Sequence, residues 1–217
     1  MDWWVTDALD AELLQESGTN VTYKIRDARA PGGSREQTWH FPSRSECILC
    51  HTFPSKWVLG LNTLQMNKDH DYGTVTDNQI RTLEHLGVFT NGLPKPPGEL
   101  PHLVNPLDAH GDLDQRARSY LHANCSHCHV DYGGGNARIR LAYTLPLEKT
   151  ATLNVVPQHG NFGINNATIL APGDPDRSLL VYRMSKLGEG RMPHIASSVV
   201  DEDAVKLIRD WIKQLPP

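Results

Sequence analysis

Every cysteine of the chain falls in one of two five-residue segments, Cys47-Ile48-Leu49-Cys50-His51 and Cys125-Ser126-His127-Cys128-His129. Two thiols separated by two residues, with a histidine directly after the second, form the covalent attachment signature of haem. The two thiols can reach the two vinyl groups of one porphyrin, and the histidine is carried beneath the ring to ligate iron. One helical turn thus supplies both thioether anchors and the proximal ligand. Two haem c groups are therefore expected, one on Cys47, Cys50 and His51, the other on Cys125, Cys128 and His129.

Other uses of the same residues fit less well. A structural zinc ribbon places roughly 15 to 20 residues between its two cysteine pairs, far fewer than separate Cys50 from Cys125. A thioredoxin-like dithiol belongs inside a βαβ pattern, and none is visible.

A six-coordinate haem needs a distal ligand as well. For the second haem, Met192 in Arg191-Met192-Pro193 follows the loop Gly188-Glu189-Gly190 and precedes a terminal helix, so the loop can swing it over the iron. Met184 competes, but it sits within an expected helix, where methionine more often fills a core. For the first haem the candidates are Met66, His70, His40 and His85, with Met66 preferred because its apolar segment Leu61 to Met66 can fold over the ring. A methionine opposite histidine raises a haem's potential, whereas a second histidine generally leaves it lower. His127, at an inner position of its motif, is expected to turn away from iron, and His122 to lie on a helix surface. Arg138, Arg140 and Arg191 are candidate partners for haem propionates.

The elements that must position these residues are partly legible. Val21 to Ile25 and Gln37 to Phe41 alternate like strands around the turn Pro31-Gly32-Gly33, which predicts a β-hairpin. Ser43 and Glu46 have capping-box spacing just before the first motif. Thr76 and Gln79 repeat it before an apolar stripe of Ile80, Leu83 and Leu86 closed by Gly87. Residues 91 to 106 hold five prolines and read as a semi-rigid connector or a surface-hugging loop. Beyond it, Ala117, Tyr120, Leu121 and Asn124 share a helical face leading into Cys125. Asp174 and Pro175 predict a helix over 178 to 186, and Asp201 caps a helix with Ala204, Ile208, Trp211, Ile212 and Leu215 on one side. Residues 141 to 170 read as an insertion of loops or short strands. The expected division is an N-terminal hairpin extension over 1–41, a first haem domain with its proline-rich linker over 42–104, and a second haem domain over 105–217.

With 217 residues, 39% hydrophobic residues, 15 prolines and 17 glycines, the chain suits short helices joined by ordered loops around a prosthetic group. The formal charge of -4 and the absence of a basic run argue against a nucleic-acid partner. No stretch has the length of a transmembrane helix, and Met1-Asp2-Trp3-Trp4 is not a secretory signal. Because c-type haem is attached outside the cytoplasm, a periplasmic or other extracytoplasmic location is expected, with Met1 a domain boundary and the export signal removed or carried by a larger parent chain.

In order and spacing, Tyr120 to His129, Ala171-Pro172-Gly173-Asp174-Pro175, Arg191-Met192-Pro193 and the Trp211 helix resemble the single-haem cytochrome c module. The whole chain resembles the two-haem cytochrome regions of large exported bacterial proteins, some of which carry a quinone-dependent sugar dehydrogenase propeller. The resemblance implies a mainly α fold of two cytochrome c-like helical domains in tandem, with His129 and Met192 on one iron. It also implies electron transfer between a donor, such as a dehydrogenase in the same parent chain, and a downstream acceptor. The first domain departs from the pattern in having a hairpin for its N-terminal helix and no Met-Pro loop. That departure keeps a second expectation open, a two-haem peroxidase with one open distal site. A third is a passive interaction domain stabilised by haem.

Overall fold

The N-terminal hairpin forms because its apolar side chains alternate. β1 (Trp3–Val5) pairs antiparallel with β2 (Ala11–Leu13), and β3 (Thr19–Arg26) with β4 (Ser34–Phe41), in register from Thr19 opposite Phe41 to Arg26 opposite Ser34. Val21, Tyr23 and Ile25 share the half-buried face, as a period of two requires. Gly32 and Gly33 take left-handed φ values of 76° and 71°, which make the reversal accessible without a Cβ penalty. Thr22 and Thr38 join their hydroxyls across the strands at 2.9 Å, and Arg35 closes the loop onto Asp27 at 2.9 Å. The chain is described here by a computed structural model over residues 3–5, 11–28 and 30–216.

The capping box at Ser43 forms as its spacing predicts. The Ser43 hydroxyl accepts from the Glu46 N–H at 3.3 Å, and the Glu46 carboxylate accepts from the Ser43 N–H at 2.8 Å. Helix α1 (Arg44–Cys47) is only one turn long, so this cap organises much of what orients the first motif. The Ser43 N–H, His40 and the Ser43 hydroxyl hold the Glu46 carboxyl down at about 2, against an ordinary 4.5. A depressed carboxylate contributes stability above its unfolded value and loses it as pH falls through the folded one. The segment around the first motif is therefore expected to loosen between about pH 4.5 and about 2. Amide exchange over residues 43–51 checks this, and Glu46→Gln should abolish the step.

The first motif region buries little. Helices α2 (Thr63–Met66) and α3 (Gln79–His85) flank a minimal antiparallel pair, β5 (Asp69–Asp71) with β6 (Thr76–Asn78). The cap of α3 falls two residues later than the Thr76 spacing suggests. Asn78 performs it, its side chain accepting from the Ile80 N–H at 3.1 Å. Ile80 is the one aliphatic side chain fully buried among described residues 42–104. Polar stapling replaces a core there: buried Asn67 donates to the carbonyls of Pro97, Leu100 and Pro101 at 2.9 to 3.2 Å and accepts from Asn78 at 2.9 Å. The proline-rich segment thus hugs the surface rather than spanning free space.

The second motif region has an apolar core. Helix α4 (Leu113–Cys125) packs against α6 (Glu202–Gln214), with α5 (Leu179–Met184) alongside. Ala117, Leu121, Leu170, Val181, Ile208, Trp211 and Ile212 form its centre. Asp112 and Asp201 cap α4 and α6 through the N–H groups of Gln115 and Ala204. Asp174 and Pro175 begin a single 3₁₀ turn, and the α-helix follows it as α5. Between α4 and α5 the chain is largely loop, tied by isolated bridges at Leu153 with Leu170 and Thr168 with Ser178.

This architecture corrects the expected mainly α fold of tandem cytochrome c-like helical domains. Less than a third of the chain is helical, and only α4 and α6 reach 13 residues. The physical reason is local. Helices α1 and α2 stop after one turn, the stretch between His51 and Asn62 takes no regular structure, and among the described residues only α4 and α6 run long enough to pack against each other along several turns. No helix of the described residues is long and apolar enough to cross a membrane.

Candidate functional site

At the first motif a strained turn orients the histidine. Lys56 and Trp57 both adopt left-handed φ values, 60° and 63°, a cost that non-glycine residues bear only where their surroundings impose it. Hydrogen bonds from Lys56 N–H to Phe53 and from Trp57 N–H to Thr52 hold the turn. Its product is the Trp57 carbonyl placed 2.6 Å from His51 Nδ1. A carbonyl only accepts, so Nδ1 donates to it and Nε2 is left as the nitrogen that could ligate a metal, the arrangement that metal-ligating histidines use. Around it Ile48, Leu49, Phe53, Trp57, Val58 and Leu61 are all exposed. Six large apolar side chains exposed within fourteen positions exceed the scattered surface hydrophobics of an ordinary monomer.

At the second motif the side chains face a cavity of about 350 Å³. Cys125 lines it from the end of α4 and His129 from the turn that follows, Met184 and Arg183 from α5, Met192 and Pro193 from the following loop, and Ile139, Leu141 and Ile169 from the chain between α4 and α5. Trp39 of β4 also lines it, so the hairpin reaches the second motif, and Gln37 binds the Ser198 carbonyl of the same loop at 3.4 Å. Cavities of this size with mostly apolar walls and few polar groups are ligand sites. Burial pushes the Cys125 thiol up to about 12, so in the absence of a bound group it stays neutral. Burial, with Arg183, His127 and His194 nearby, holds His129 down at about 4, leaving a neutral imidazole. Its Nδ1 is buried without a hydrogen-bond partner. The thiol and imidazole donors and the apolar walls fit a haem ligated through His129, while its Nδ1 lacks the hydrogen-bond partner that the Trp57 carbonyl gives His51.

The two motifs meet. Cys50 Sγ and Cys128 Sγ lie 3.2 Å apart, Cys128 Sγ is 3.5 Å from the Leu49 carbonyl, and His127 joins them in a cluster whose ligand atoms lie within 4.8 Å of one another. Accepting from Cys128 and from His127 makes Cys50 the more acidic thiol of the pair, and Cys128 is held protonated. His127 therefore faces the other motif, a contact that lies outside anything its own spacing encodes.

The remaining candidates are placed as follows. Met66 is half-buried at the end of α2, and His70 and His85 are exposed, His70 with its ring edge-on to Tyr72 at 4.6 Å. Both ring nitrogens of His40 are taken, Nδ1 by Asn20 at 2.8 Å and Nε2 by Glu46 at 2.9 Å, which removes it from the ligand field. His122 is half-buried and structural, with the Tyr143 N–H donating to its Nδ1 at 3.2 Å. Arg140 faces Asp131 at 3.4 Å, Arg138 is exposed, and Arg191 turns back on the carbonyls of Pro193 and His194. Two cations line the cavity, Arg183 and Lys186, and Arg183 was missed in the sequence because it lies in a helix without a distinguishing motif. Its Nε donates to the Gly190 carbonyl at 2.8 Å, and among the described residues no carboxylate pairs with it.

No protein-family model, no curated protein and no solved structure matches this chain.

Proposed function

We propose that the chain is a two-haem electron carrier, with haem c held by Cys47, Cys50 and His51 and by Cys125, Cys128 and His129. The observation that carries the reading is the second cavity, where Cys125 and His129 of the second motif and Met192 from the loop after α5 converge between mostly apolar walls. The exposed apolar segment around His51 and the proton-donating geometry of its Nδ1 support the same use of the first motif.

Bound haem supplies reversible one-electron exchange at iron, and its ligands and surroundings set the potential. The chain's residues do the rest. His51 and Trp57 fix one imidazole's orientation, His129 offers a second proximal ligand, and Met192 and Met66 are the distal candidates. Arg183 offers a guanidinium fork to a carboxylate entering the cavity. The partners of such a carrier are redox proteins, a donor such as a dehydrogenase in the same parent chain and a downstream acceptor, in an extracytoplasmic compartment where haem attachment takes place.

The test is to express the chain with an export signal and the haem-attachment machinery, then measure intact mass and the absorption of the denatured haem in pyridine. Two covalent haems per chain are expected, falling to one when Cys125 and Cys128 are both replaced by alanine. A product that carries zinc and no haem would sink the proposal. A high-spin haem that turns over hydrogen peroxide would move the chain into the peroxidase class.

A further inference from the structure

Immediately after the second motif the chain runs Gly133-Gly134-Gly135, and each of these glycines is pressed against backbone or a motif side chain. A Cβ on Gly134 would lie 2.0 Å from the Leu49 carbonyl oxygen and 3.0 Å from the Leu49 carbonyl carbon, within the first motif. On Gly135 it would meet His129 Nδ1 at 2.8 Å and the Cys128 carbonyl at 3.0 Å, and on Gly133 the Cys128 carbonyl at 2.5 Å. The Gly135 N–H donates to that same Cys128 carbonyl at 3.0 Å. The loop is thus folded onto its own motif and abuts the other one. Only hydrogen fits at position 134.

We infer that Gly134 is the joint that seats the second attachment motif against the first, so that Cys50 and Cys128 hold two haem groups at adjoining edges as one interacting pair. The inference rests on the haem reading above and adds the relation between the groups. The contact is carried by the backbone, where Gly134 abuts the Leu49 carbonyl, and in the thiol state Cys128 Sγ also lies 3.5 Å from that carbonyl and 3.2 Å from Cys50 Sγ. In a c-type haem the cysteine sulfur is bonded at the porphyrin's periphery, so two attachment motifs whose backbones abut at Gly134 and Leu49 bring two peripheries together. Charges on two groups held this close in a medium less polar than water oppose each other's gain. Oxidising one haem of such a pair makes oxidising its neighbour harder. An electron entering at either haem is shared between both.

The experiment uses the two-haem protein and reads its paramagnetism. Fully oxidised wild type should give low-temperature paramagnetic resonance lines broadened by the neighbouring ferric haem. Half-reduced protein, in which most ferric haems face a diamagnetic ferrous neighbour, should give sharper lines. Gly134→Val should lose that difference, and Gly98→Ala should keep it, since a Cβ at Gly98 meets nothing within 4 Å. Haem content is measured on the same samples. Two haems whose line shapes do not change on half-reduction of wild type would overturn the adjacency while leaving the haem reading intact. A Gly134→Val protein that keeps the full broadening would overturn the role of Gly134. A chain without haem would remove both conclusions together. Should Gly134→Val fail to fold, the wild-type comparison alone decides the adjacency.

Discussion

In the proposed two-haem protein, replacing Met192 with alanine is expected to convert one haem from low-spin to high-spin, halving the low-spin resonance and lowering that haem's potential. The methionine is held where it can act. Its N–H donates to the Arg183 carbonyl at 2.9 Å, which ties the loop after Gly190 to the end of α5, and its side chain lines the cavity with Cys125 and His129. Removing a thioether ligand leaves alanine, which has no donor, and methionine opposite histidine is the pair that raises a haem's potential. Met192→His should restore the low-spin state at a lower potential. Met184 lines the same cavity from α5, which makes Met184→Ala the internal control, expected to keep both low-spin signals. If Met184→Ala changes the spin state and Met192→Ala does not, the distal assignment passes to Met184.

The largest loss of stability is expected for Trp211→Ala, at about 3 to 5 kcal/mol, the range for deleting a buried large aromatic side chain. Trp211 is 2% exposed, lies at the centre of the α4 and α6 packing, and its Nε1 donates to Asp114 at 2.8 Å. A loss of that size is a large share of the 5 to 15 kcal/mol that stabilises a typical domain. Trp211→Phe separates the two contributions. It keeps most of the apolar volume and gives up one hydrogen bond to a carboxylate that is already partly solvated, for about 1 kcal/mol. Urea unfolding of the haem-loaded protein checks both values. The consequence reaches the site, because α4 ends on Cys125, and a loosened α4 no longer holds that thiol against the cavity. A cost below about 1 kcal/mol for Trp211→Ala would mean that the α4 and α6 contact is not the core of this half.

Much of the local structure was legible in the sequence because its causes are local. The hairpin followed from alternation around Pro31-Gly32-Gly33, the α1 cap from Ser43 and Glu46, and the terminal helix from the spacing of Ala204, Ile208, Trp211 and Ile212 behind Asp201. The cap of α3 was misplaced by two residues because Thr76 and Asn78 both offer a side-chain oxygen, and β6 pairing claims Thr76. The overall fold class was not legible. Motif order and a few matching segments suggested helical domains, but whether a segment forms a long helix depends on a partner face to bury, and residues 42–104 present none.

The amino-acid order alone determined which groups stand together in each motif, two thiols and a histidine within five residues, since that spacing is set by the chain itself. Tertiary structure decided everything that joins the motifs. It put Cys50 beside Cys128 across 78 positions, set Gly134 against Leu49, brought Trp39 and Arg183 to the cavity, and withdrew His40 into hydrogen bonds with Asn20 and Glu46. These contacts depend on how separately formed elements pack, and no periodicity or spacing along the chain records a meeting of side chains that are remote from one another.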